Sequence, residues 1–196
     1  MKSLIFVTIA AFIAMACNNS SNDSVAKADS TNKARRDSNE SKNDRADSST
    51  KETSEFLVKA MDGGILEVDL GNIAKTKGRH ESVKKFGQMM IKDHKQTNDK
   101  IKELASARHI ELPSRVGNDN ADIMAKLNKA KARNFDEDYI NRMVDDHKED
   151  IKEFENAGNK INDREIKQFI NSTLPVLRKH LDSCTAIQEE LKNKKV

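Results

Sequence analysis

The stretch Phe86-Gly-Gln-Met-Met-Ile-Lys-Asp-His-Lys95 returns 53 residues later as Tyr139-Ile-Asn-Arg-Met-Val-Asp-Asp-His-Lys148. Both copies run aromatic, three residues, Met, aliphatic, one residue, Asp, His, Lys. Around the first copy, Val83, Gly87, Met90, His94, Thr97, Ile101 and Leu104 step alternately by four and three, which is the seam of a helix packed in a bundle. Around the second, Ile140, Val144, His147, Ile151 and Phe154 do the same. Each copy therefore sets a histidine in the stripe that a helix buries.

Working outward, two more helical patterns appear. One runs from about Thr53 to Lys77, with Phe56, Leu57, Ala60, Met61, Gly64, Ile65 and Val68 apolar, and Gly78 is placed to end it. The other runs from about Asp163 to Lys192, with Ile166, Ile170, Thr173, Leu177, His180, Cys184, Ile187 and Leu191 inward. Asn162 followed by Glu165 resembles a capping box at its start, and Pro175 inside it predicts a kink. The repeat-bearing helices are expected over His80 to Arg108 and Asp136 to Ala157. Residues 109–135 between them form a long connection with a short helix, Asp119 to Ala132. Five of the seven glycines (Gly63, Gly64, Gly71, Gly78, Gly87) cluster in the first half. Glycine inside a helix costs propensity, so a close helix–helix approach is expected there. The pattern is all-α: a four-helix bundle of two hairpins, whose long connection between helices 2 and 3 permits the crossover of ferritin-like folds.

The rest of the 196-residue chain is of a different kind. Lys2, the apolar run Leu4 to Met15 and Ala14-Met15-Ala16-Cys17 resemble a bacterial lipoprotein signal over residues 1–16. The run is too short for a bilayer core of ~30 Å. That resemblance makes Cys17 the lipidated first residue of the mature chain and the membrane a partner. Asn18 points to the outer membrane, with the domain facing the periplasm. Residues 17–52 are Ser, Asn, Asp, Lys, Arg and Thr with little to bury, and are expected to be a disordered tether to a domain over 53–192. With Cys17 lipidated, Cys184 has no disulfide partner and is expected to be an inert buried thiol. Net charge is +3, from 35 basic and 32 acidic residues spread over the helices without a basic block, so no nucleic-acid partner is expected.

Larger pieces match a known family. Gly63-Gly-Ile-Leu-Glu-Val-Asp-Leu-Gly71, Val83-Lys-Lys-Phe86, Met90-Ile-Lys-Asp-His94, Leu112-Pro113, Met143-Val-Asp-Asp-His147 and Thr173-Leu-Pro-Val-Leu177 with His180 resemble the bacterial domain-of-unknown-function family 4142. The resemblance spans about residues 54–191. It implies a ferritin-like helical fold and export to the cell envelope, and it implies no activity.

The inward polar residues are the candidates for chemistry. His94, His147 and His180 lie on the core stripes of three helices, and Glu67 lies on the small-residue face of the fourth with Ala60, Gly64, Gly71 and Ala74. At ~1.5 Å per residue, His94 and His147 come to one mid-bundle level, with Glu67 and His180 within a turn or two. The set supports a transition metal (copper, zinc or iron), with Met90 and Met143 as further ligands if the metal is copper. The residues three before each histidine are Ile91, Val144 and Leu177, so the Glu-x-x-His pairs of di-iron sites are missing. Asp93 and Asp146 remain open as ligands, hydrogen-bond partners or surface charges. Glycine-rich phosphate loops, Cys-x-x-Cys and nucleophile elbows are absent, and an enzyme is not expected. Two readings stand. One is a non-catalytic structural or interaction module held by a buried polar network. The other is a periplasmic metal-binding protein using those same residues. Acid sensing by the histidines is a lesser third.

Overall fold

A computed structural model of the chain describes residues 23–38 and 44–193, with backbone alone for 44–49. Among the described residues there are six helices and no strand. The signal segment 1–16 and Cys17 lie outside them. Four long helices build the bundle: α2 (Asp44–Lys77), α3 (Glu81–Ser106), α5 (Ala132–Lys160) and α6 (Arg164–Asn193). α1 (Ser24–Ser38) and the short α4 (Asn118–Lys129) pack against them. No helix of the described residues is long and apolar enough to cross a membrane.

α2 pairs most extensively with α3, and α5 with α6, while α2 meets α5 and α3 meets α6 across the bundle. The core falls into two apolar layers. One holds Leu70, Met90, Met143 and Cys184; the other holds Met61, Ile101, Ile166 and Leu177, with Ile151 packed against it. These layers fix the direction of every helix. α2 and α6 rise from the second layer to the first, whereas α3 and α5 both descend from the first to the second. Two successive long helices that run the same way need a crossover between them, and residues 107–131 with α4 provide it. The expected two hairpins and long connection are thus what the chain forms.

The ends are held by specific bonds. Gly78 closes α2 through its N–H to the Ala74 carbonyl, 2.9 Å. Asp136 of α5 accepts from the N–H groups of Arg79 and His80 at the start of α3, the closest at 2.8 Å. At the start of α6 the cap is Asp163, whose Oδ1 accepts from Glu165 and Ile166, and not Asn162 as the capping-box pattern suggested. Arg108, just past α3, clamps Asp163 and Glu165 at 2.8 Å, tying the two hairpins together at that end. α6 runs as one continuous helix through Pro175, where the sequence predicted a kink.

Glycine brings α2 and α3 together. A Cβ on Gly71 would lie 2.7 Å from the Gly87 carbonyl oxygen, and one on Gly87 would lie 2.8 Å from that of Gly71. The two backbones touch there, as the glycine cluster predicted.

Two expectations need correcting. Asn98, not Thr97, takes the inward place after His94, because a straight α-helix drifts off a strict 3.5 repeat. Residues 24–38, expected within the disordered tether, form α1, and α2 begins at Asp44 rather than Thr53. α1 has little apolar surface, so a composition argument misses it. It is held instead by polar contacts to the crossover backbone. Asn32, 3% exposed, donates to the Glu111 carbonyl (2.9 Å) and accepts from the Glu111 N–H (2.7 Å). Arg35 donates to the His109 carbonyl, and Asp23 caps α1 while accepting from the Asn118 N–H.

Candidate metal centre

Between the two apolar layers lies one polar level. α2 supplies Glu67, α3 His94, α5 His147 and α6 His180, and none of the four is more than 4% exposed. All four residues picked from the sequence meet there. Met90 and Met143 each stand four residues before a histidine of the centre. Both are fully buried in the apolar layer with Phe86, Tyr139 and Cys184, where a flexible thioether fills core space.

The hydrogen bonds place a proton on each ring. His94 Nδ1 lies 2.7 Å from Glu67 Oε2, so Nδ1 carries a proton and donates it to the carboxylate. His147 Nδ1 lies 2.9 Å from the Met143 carbonyl, which only accepts, so His147 presents a bare Nε2. His180 Nε2 lies 3.0 Å from Asp93 Oδ2, which leaves its Nδ1 bare. One ring nitrogen from each histidine lies within 4.8 Å of the other two. His147 Nε2 and His180 Nδ1 stand 3.3 Å apart, and Glu67 Oε1 is 3.5 Å from His147 Nε2. His94 Nε2 and Glu67 Oε1 have no hydrogen-bond partner and no access to solvent.

So the bare nitrogens of His147 and His180, the His94 ring and a Glu67 oxygen converge in a dry interior, with the Asp150 carboxyl, its pKa raised by burial and by Glu67, hydrogen-bonded to Glu67 beside them. Buried acceptors facing one another are costly. A cation at their centre removes that cost. Each outer nitrogen is meanwhile anchored by a carboxylate or a carbonyl, the arrangement that orients metal-ligating histidines.

The electrostatics favour ligation. Burial opposes the Glu67 charge, but the His94 ring beside it, its hydrogen bond, and His147 and His180 outweigh burial and hold the carboxyl down at about 2. Burial pushes His180 down to about 4 against the pull of Asp93, and it lowers His147 as well. At neutral pH both rings are therefore uncharged and keep their lone pairs.

The two aspartates of the repeat have different fates. Asp93 binds His180, whereas Asp146 is taken by Arg142 four residues earlier, through Nε at 2.7 Å. Asp150 escaped the sequence reading. Burial and the nearby Glu67 carboxylate push its pKa well above the ordinary range, and it faces Gly63 with Oδ1 3.9 Å from where a Cβ would stand. The available signals were the gap that Gly63 leaves on α2 and the place of Asp150 three residues after His147 on α5. Tyr139, inward one layer above, leaves its hydroxyl without a partner. Cys184 is fully buried with its thiol on the Leu181 carbonyl, and burial pushes its pKa to about 12, as expected of an unreactive thiol.

Residues 38–187 match the family model described as Domain of unknown function (DUF4142). The chain belongs to this family. A search of the curated proteins gives no match. Among solved structures the chain is similar to a DUF305 fragment from Deinococcus radiodurans. That likeness has a TM-score of 0.63 at 7% identity and covers 71% of this chain and 96% of that one. At that identity it speaks for the helical fold alone. Across this DUF4142 chain the family match runs through most of α6 and takes in all four polar residues of the centre.

Proposed function

We propose that this protein is a lipid-anchored envelope protein, non-enzymatic, whose bundle binds one first-row transition-metal ion through His94, His147, His180 and Glu67. The observation that carries the metal reading is the pair of bare nitrogens on His147 and His180, 3.3 Å apart with both outer nitrogens already committed. Around an ion with metal–nitrogen distances of ~2.0–2.1 Å, tetrahedral ligands stand about 3.3 Å apart. Three imidazoles and one carboxylate suit zinc or copper(II), and a single carboxylate suits iron less well. The same ion would serve as the bundle's polar brace, since its ligands come from all four long helices. The envelope location rests on Lys2, the apolar run Leu4 to Met15 and the Ala14-Met15-Ala16-Cys17 junction, with the outer membrane and a periplasm-facing domain as the fuller form.

The test is the metal content of full-length chain purified from membranes, alongside His94→Ala and His147→Ala. Stoichiometric zinc or copper in the wild type, lost in both variants, supports the reading. At free metal about 100 times Kd, stabilisation is about 2.7 kcal/mol, a rise of roughly 5–10 °C in Tm. Metal-free protein whose Tm ignores added zinc and copper refutes it and leaves a structural network with a proton shared between His147 and His180. For the anchor, a radiolabelled fatty acid should be incorporated by the wild type and not by Cys17→Ser.

A further inference from the structure

The repeat places an aspartate before both His94 and His147, yet only one of the two touches the centre. The difference lies four residues upstream. Asp146 is held by Arg142, and at the equivalent position of the first copy the sequence has Met89. Arginine and aspartate four apart on a helix meet on one face. Met89 makes no such demand, so Asp93 turns to α6 and accepts from His180 Nε2 at 3.0 Å. The Asp93 side chain is 28% exposed while that of His180 is 1% exposed, so this contact links the closed centre to the surface.

We infer that Asp93 is the positioning residue of the centre: it fixes His180 as the Nε2–H tautomer, with Nδ1 turned to the other rings, and Met89 in place of arginine leaves it free to do so. This rests on the metal-binding reading. Among the three histidines, His180 alone owes its orientation to a side chain from another helix that reaches solvent. His147 leans on its own helix's carbonyl and His94 on buried Glu67. Loss of Asp93 leaves His180 free to exchange tautomers, and in the other tautomer Nδ1–H points a proton at the ion. An asparagine can still accept from Nε2–H through its Oδ1, while a leucine cannot.

The experiment uses the full chain in detergent, stripped of metal and 15N-labelled at histidine. Long-range proton–nitrogen spectra read the His180 tautomer, and competition against a chelating dye reads zinc affinity. The wild type should show Nε2–H at His180. Asp93→Leu should mix the tautomers and weaken zinc about 10–100-fold. Asp93→Asn should keep the tautomer and recover most of the affinity. Met89→Arg, which retains Asp93 and lies at a half-buried position, should draw Asp93 away and reproduce Asp93→Leu in milder form. An unchanged His180 tautomer in Asp93→Leu overturns the inference. Equal loss of affinity in the Asn and Leu variants with the tautomer intact also overturns it, since only charge would then matter. If wild-type chain takes up no zinc, the metal reading fails, while the tautomer spectra still decide the role of Asp93.

Discussion

Gly71→Ala sets two large effects against each other. Alanine inside a helix is favoured over glycine by roughly 1 kcal/mol, so propensity alone predicts a more stable protein. The geometry predicts the reverse. The added carbon would lie 2.7 Å from the Gly87 carbonyl oxygen and 3.0 Å from Ile91 Cγ1. Ordinary contact is about 3.5 Å, so α2 and α3 must part by roughly 0.8 Å. A backbone carbonyl cannot rotate aside as a side chain can, which puts the overpacking cost toward the upper part of ~1–3 kcal/mol. The net is a destabilisation of about 1–2 kcal/mol, or roughly 3–6 °C in Tm. The displacement also reaches the centre. Glu67 is one turn from Gly71 on the same face of α2, and it holds His94 across the seam at 2.7 Å, so metal affinity should fall with stability. Urea denaturation and thermal melts of the metal-free chain read the first effect, and dye competition reads the second. Gly63→Ala is the internal control: its Cβ would meet nothing nearer than Asp150 Oδ1 at 3.9 Å, so it should gain about 0.5–1 kcal/mol. If Gly71→Ala melts at or above wild type, or if both substitutions cost the same, the close crossing is not what the glycines serve.

Three further outcomes follow from the same structure. Burial depresses His180 to about 4 from its ordinary value, so between pH 6.5 and 4 the unfolded chain takes up a proton there that the folded chain refuses. Stability from this group is present at neutral pH and is lost as pH falls, by roughly 3 kcal/mol. Metal-free wild type should therefore lose more than His180→Leu between pH 7 and 4.5 in urea melts, and parallel losses would refute it. Asn32→Ala removes both bonds to the Glu111 backbone, costing α1 about 1–3 kcal/mol, so hydrogen exchange over residues 25–38 should quicken while that of α5 stays unchanged. Cys184 should resist alkylation in native protein and react at the rate of global unfolding, as a fully buried thiol must.

Much of this was legible because helical periodicity is a local property. The repeat placed His94 and His147 inward, the stripe of α6 placed His180 there, and Glu67 gave itself away as the one charge on a face of Ala and Gly. Their convergence followed once the helix directions were known. What periodicity could not resolve were choices among polar partners. Asp93 and Asp146 read alike in the chain, and only the neighbours at Met89 and Arg142 separate them. α1 was missed for a similar reason. Its polar composition forbids a core, yet Asn32 satisfies a buried backbone pair that the crossover would otherwise leave open.

The chain by itself determined an all-α bundle, its four long helices, its close glycine seam and the inward facing of three imidazoles and one carboxylate. Each of these is set by residues three, four or seven apart along one helix. Folding in three dimensions decided which nitrogen of each ring keeps its proton, which aspartate serves the centre, that the methionines belong to the apolar layer, and that α1 docks. Those outcomes depend on groups brought within about 3 Å of one another from distant parts of the chain, where hydrogen-bond direction settles what composition leaves open.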